Sequence, residues 1–144
     1  MAYQVIVARR SVGLIVLLLW AASLALPAAT FINGAYGYCP GFLVAMVGLA
    51  FGWMILQLGA FANLILLVLC GVLLFGKRVW ISPAIIAEIL ALYSFTWSEF
   101  PSDNDTNPIA HFASGFYVWQ VAILLLTIYA LIEGRLIASG KLIA

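Results

Sequence analysis

The sequence predicts an all-α membrane protein. Its form is a compact bundle of four transmembrane crossings with one additional re-entrant or interfacial helix, five helical segments in a single domain over residues 1–144. Three observations carry this. The chain is 67% hydrophobic and only 8% charged, where a soluble domain is nearer half apolar and a quarter charged. Residues 41–76 form a long apolar stretch of 36 residues. All six basic residues fall in three short clusters, at 9–10, 77–78 and 135 with 141.

The first segment is placed at about 11–29. It follows Arg9-Arg10 and ends near Ala28-Ala29, the pattern of a signal anchor that serves as the first span. Its length matches the roughly 20 residues a bilayer requires. Gly34, Gly37 and Pro40 mark a turn. The run 41–76 as one helix would be about 54 Å long, against a hydrocarbon core of about 30 Å, so it must break or lie partly flat. Gln57, Gly59 and Asn63 are the expected breakers, with Asn63 capping the helix that starts there. This gives a second segment at about 41–57 and a third at about 63–76. Ser82-Pro83 opens the fourth, 82–97, with proline at the first helical position. A polar outer loop, 98–115, precedes the fifth, 116–134.

Charge sets the expected topology. Basic residues beside spans are retained in the cytoplasm. With 41–76 crossing once in total, all six basic residues are cytoplasmic, both termini are inside, and the acidic loop with Glu99, Asp103 and Asp105 is outside. Tyr36, Tyr38, Trp80, Trp97, Tyr117 and Trp119 fall near predicted span ends, as an interfacial aromatic belt requires.

Few residues are candidates for chemistry. Glu88 is the sharpest, because an ionisable group at membrane depth is costly and marks function by default; Thr127 on the fifth segment is expected at its level. The alternative for Glu88 is a protonated or hydrogen-bonded structural role. Gln57 and Asn63 are expected to satisfy backbone groups freed at the break, and Gln120 to bond across helices. Gly48 and Gly52 form a small-xxx-small spacing that permits close helix packing, within the bundle or in a dimer. His111 is the only histidine; with Glu99, Asp103 and Asp105 it makes the outer loop the expected partner-binding surface. Asn104-Asp105-Thr106 matches a glycosylation acceptor pattern, which has no meaning in a bacterial chain. Cys39 and Cys70 are not expected to pair. No metal site, cofactor motif, phosphate loop or nucleophile elbow is present, and the net charge of +1 gives no reason to expect nucleic acid. The expected function is therefore not enzymatic.

At Phe61-Ala62-Asn63-Leu64, Gly76-Lys77-Arg78 and Gly115-Phe116-Tyr117-Val118-Trp119 the chain resembles a loose group of small multi-span inner-membrane proteins of proteobacteria. It departs from them at Leu64, where they tend to carry proline. In size and architecture it is similar to the immunity proteins that protect bacteria from pore-forming toxins. The resemblance implies the bacterial inner membrane, with the lipid bilayer, a membrane or toxin protein, and a further copy of the chain as the partners to consider. Three functions stand as expectations. The first is binding a membrane-active protein, above all as an immunity protein. The second is a channel, transporter or proton pathway using Glu88. The third is a structural or assembly subunit of a larger membrane complex.

Overall fold

The computed structural model describes residues 2–32, 38–101 and 106–140. Among the described residues the chain is mostly helical, with five α-helices: α1 (Ala2–Ala25), α2 (Gly41–Phe51), α3 (Ala62–Leu74), α4 (Ile81–Tyr93) and α5 (Ser114–Ala138). The same residues include four short strands that cap one end: β1 (Pro27–Phe31), β2 (Cys39–Pro40), β3 (Glu99–Pro101) and β4 (Thr106–Phe112).

The sheet is the main addition to the all-α expectation. Its strand order is β2-β1-β4-β3, antiparallel throughout. The first helix does not run to residue 29. It stops at Ala25 because Pro27 has no backbone N–H to donate and clashes with the preceding turn. The chain then extends as β1 and pairs with β4, Thr30 opposite His111. The expected polar loop 98–115 is therefore largely a hairpin. Its backbone groups are paired with β1 and with each other, as backbone close to an apolar bundle requires. Phe112 stacks on Phe116 at 4.1 Å and meets Phe95 edge-on at 5.9 Å, which fastens the hairpin to α5 and to the 3-10 turn, Ser94–Thr96, that follows α4.

Other boundaries shift for local reasons. α1 begins at Ala2, well before the expected residue 11, and so carries Arg9 inside the helix. α5 extends to Ala138. Continuity in 41–76 is lost, but the reversal begins earlier than expected: a 3-10 turn occupies Gly52–Ile55, Leu56 is left-handed (φ 57°), and a second 3-10 turn covers Leu58–Phe61. Asn63 does not cap α3; Phe61 holds the cap position without a side-chain bond.

α1 packs against α5 and α3, and α4 against α5 and α3. Small residues allow the approach: Ala84, Ala87 and Ala91 on α4 and Ala122 and Ala130 on α5 are fully buried, with Leu66, Leu73, Ile123 and Leu126 filling the centre. The outward faces are apolar too, including Leu14 and Leu18 on α1 and Ile86, Ile89 and Leu92 on α4. α2 lies across the strand end of the bundle. Gly41 meets the backbone of Ser23 and Leu24, and Gly48 meets Ala60 and Trp97. Trp97 is only 7% exposed. It thus belongs to a small second core with Ala29 and Cys39, not to a lipid-facing belt.

Two helices, Tyr3–Ala25 and Ser114–Ala138, are long and apolar enough to cross a membrane. Leu58–Leu74 and Ile81–Thr96 are shorter apolar helices. Helix length by itself therefore supports two crossings, not four.

Candidate functional site

The polar side chains inside the bundle fall into separate levels along α5. At the end away from the sheet, Arg9 on α1 reaches Glu133 on α5. Its Nε donates to Glu133 Oε1 at 2.6 Å and its Nη1 donates to the Gly76 carbonyl at 3.0 Å. The two side chains are 10% and 3% exposed. Gly76 can offer its carbonyl because it closes α3 in a left-handed conformation (φ 72°), with Gly76 N–H bonded to Leu73 O and Lys77 N–H to Val72 O. One guanidinium thus ties α1, α5 and the end of α3 together, and Tyr129 lies beside it. Arg9 Nη2 and Glu133 Oε2 are buried without a hydrogen-bond partner.

The middle level holds Glu88 and Thr127. Thr127 Oγ1 donates to the Ala84 carbonyl at 3.1 Å and also meets the Glu88 carboxyl. Glu88 is half-buried, and its Oε2 has no partner. The sheet-side level holds two clusters. Trp20 Nε1 donates to Asn63 Oδ1 at 2.8 Å, and Asn63 Nδ2 donates to the Ala60 carbonyl at 2.9 Å. Gln120 Nε2 donates to Ala91 O at 2.7 Å and Ser94 Oγ at 3.1 Å. The bonds to Ala60 O and Ala91 O satisfy carbonyls where α-helix meets 3-10 turn, the sites at which lipid offers no substitute.

Between these clusters lies a cavity of about 40 Å³ lined by Ser23, Asn63, Ser94, Trp97, Gly115 and Trp119 among others. A water requires a cavity of about 10–15 Å³, and small-ligand pockets run to about 300–1,000 Å³. The cavity suits a few waters and excludes a metabolite. Among the described residues no group of three or more His, Cys, Asp or Glu side chains could hold a metal ion.

No family model, curated protein or solved structure matches this chain.

The residues singled out from sequence are therefore placed by geometry. Glu88 and Thr127 come together, as do Gln120 with Ser94 and Asn63 with Trp20. Gln57 stands apart at the break: its backbone N–H bonds Gly52 O at 2.6 Å, and its side-chain Oε1 is buried without a partner. The freed Leu56 carbonyl is taken by the Tyr93 hydroxyl at 2.9 Å. Gly48 lies against Ala60 and Trp97, and Gly52 against the Gln57 carbonyl, so the pair serves contacts within the chain. Glu99 and His111 are exposed on β3 and β4; Asp103 and Asp105 lie outside the described residues. Cys39 and Cys70 are both free and buried. Burial pushes the Cys39 thiol up to about 11, which keeps it protonated and unreactive at neutral pH.

The sequence reading takes Arg9 as a flanking cation and leaves Glu133 out of the site. The signal is present in the chain: Glu133 is the second carboxylate inside an apolar helix, and Arg9 sits at the matching end of the antiparallel one.

Proposed function

We propose that this chain is a non-enzymatic, multi-pass inner-membrane protein whose sheet-capped outer end binds another membrane-active protein, in its most specific form a pore-forming toxin against which it gives immunity. The observation behind this is α2. Its sequence, Gly41–Phe51, has no polar side chain, so it belongs in an apolar environment on every side. Yet only Gly41 and Gly48 on it are buried, while Met46 is 65% and the following Trp53 59% exposed. Phe42 and Phe51 are exposed beside them. The surface suits an apolar helix of a membrane-inserted partner, and Glu99 and His111 on the neighbouring hairpin offer polar contacts at its rim.

In this reading four helices cross. α4 runs antiparallel to α5 from the Ile81–Gly134 contact to the Ala91–Gln120 bond, and α3 meets α1 from Asn63–Trp20 to Leu73–Gly13. The short crossings, about 24–26 Å long at 1.5 Å per residue, tolerate the mismatch to a roughly 30 Å core by local thinning, at fractions of a kcal/mol per Å. The basic clusters face the cytoplasm and the sheet faces outward. Single cysteines at Ser98 and Ser139, in a background lacking Cys39 and Cys70, test this. An impermeant thiol reagent on intact cells should label Ser98→Cys alone; labelling of Ser139→Cys alone would invert the topology.

A second reading, a proton or ion pathway, is favoured by the unpartnered Glu88 Oε2. Against it, Gln120, Thr127 and Glu133 are separated by about 10 and 9 Å along α5, three times the reach of a hydrogen bond of about 3 Å. The two readings separate in one survival assay, with cells challenged by the toxin encoded beside this gene and variants matched for membrane level. Glu88→Gln should protect as well as the unaltered chain. Neutralising Glu99, Asp103 and Asp105 together with Met46→Ala and Trp53→Ala should abolish protection. Loss of protection in Glu88→Gln alone moves the function to translocation. A neighbourhood without any toxin gene removes the immunity form.

A further inference from the structure

A large open concavity lies away from the sheet. It is a groove of about 590 Å³ between α3 and the connection from α3 to α4, walled by Leu64, Val68 and Val72 and ending at Lys77, Arg78 and Trp80. We infer that this groove binds one anionic phospholipid of the cytoplasmic leaflet, its phosphate on Lys77 and Arg78 and one acyl chain along Leu64, Val68 and Val72.

The first argument is charge. Arg9–Glu133 is the one ion pair among the described residues, which leaves both Lys77 and Arg78 without a carboxylate. Arg78 Nε is buried and has no hydrogen-bond partner. Lys77 and Arg78 together line the end of the apolar groove, and a phosphate oxygen placed there supplies both cations with a charged acceptor. Basic pockets between helices at the cytoplasmic side recognise anionic headgroups for this reason.

Shape and depth agree. Leu64, Val68 and Val72 recur every four residues and so form one strip of α3. Val68 is 66% exposed on it. The strip from Val72 to Leu64 is about 12 Å long, close to the roughly 15 Å depth of a single leaflet, half of a core of about 30 Å. The groove volume lies in the range of about 300–1,000 Å³ typical of small-ligand sites. Trp80 is exposed at the mouth, where an amphipathic ring belongs beside headgroups. The placement at the cytoplasmic leaflet rests on the proposed topology. Recognition of the lipid does not, and it is independent of any toxin.

The test uses the full chain purified and delipidated in a neutral detergent, then titrated with dioleoyl phosphatidylglycerol or dioleoyl phosphatidylcholine. Bound lipid is counted by native mass spectrometry and the melting midpoint is followed. One phosphatidylglycerol per chain and a raised midpoint are expected, with phosphatidylcholine giving neither. Lys77→Gln and Arg78→Gln should each weaken binding about 5-fold, the loss for one interfacial charge. Val68→Trp should fill the exposed strip and abolish the adduct without altering helicity. Should that variant fold poorly, the two charge variants, both outside the core, decide alone. Equal binding of both lipids, or full retention by the Lys77→Gln/Arg78→Gln double variant, overturns the inference. So does a lipid-free dimer that Val68→Trp converts to monomer, because a second copy then occupies the groove. None of these outcomes involves a partner protein, so failure here leaves the partner-binding reading intact.

Discussion

Arg9→Met is expected to destabilise the bundle by about 3–5 kcal/mol, the cost of leaving one member of a buried ion pair uncompensated. The magnitude follows from what the substitution strands. Glu133 is 3% exposed, and one of its oxygens already lacks a partner; without Arg9 Nε the other loses its bond as well. The Gly76 carbonyl loses its donor in the same step, which loosens the end of α3. The double variant Arg9→Met/Glu133→Leu should recover most of the loss, because replacing both ions with apolar groups removes the desolvation cost together with the attraction. Unfolding of the four members of this cycle in a mixed-micelle denaturation series gives the coupling directly. If Arg9→Met alone proves neutral, the pair does not hold α1 to α5, and the close Arg9–Glu133 contact has no energetic weight.

Gly41→Ala is expected to be the next most damaging change, at about 1–3 kcal/mol, and to unseat α2. A Cβ at residue 41 would fall on the Ser23 carbonyl oxygen and within 3.0 Å of Leu24 Cα. Both are backbone, so no rotamer can relieve the clash. The Gly41 N–H also bonds Leu26 O at 2.9 Å, and retreat breaks that bond. Gly71→Ala is the control. A Cβ there meets nothing within 4 Å, and removing a mid-helix glycine gains about 0.5–1 kcal/mol. If α2 carries the partner surface, Gly41→Ala should abolish protection in the survival assay at membrane levels where Gly71→Ala remains fully active. Full protection by Gly41→Ala would take α2 out of the partner surface.

Glu88 was legible because the cost of an ionisable group at membrane depth depends on little more than its position in an apolar run. Its meeting with Thr127 could be counted from two antiparallel helices, since both lie a similar number of residues from their ends. Asn63 was legible as a polar residue at a break but not in its role. It accepts from Trp20, 43 positions away, and donates to Ala60, rather than capping α3.

Apolar character, helical composition and the break in 41–76 could all be read along the chain. These are sums over local residues: apolar content, the reach of a helix at a fixed rise per residue, and the positions of glycine and polar side chains. The chain places Arg9 and Glu133 at matching ends of two antiparallel helices, but that they bond, across 124 positions, is decided only once the helices have packed. The same holds for the pairing of β1 with β4, which depends on where Pro27 turns the chain out of α1, and for the groove beside Arg78. Each is set by the register in which antiparallel helices and strands meet. That register is fixed by close packing at Gly13, Gly41, Gly59 and Gly115, and a glycine's position in the chain does not say which backbone will come to rest against it.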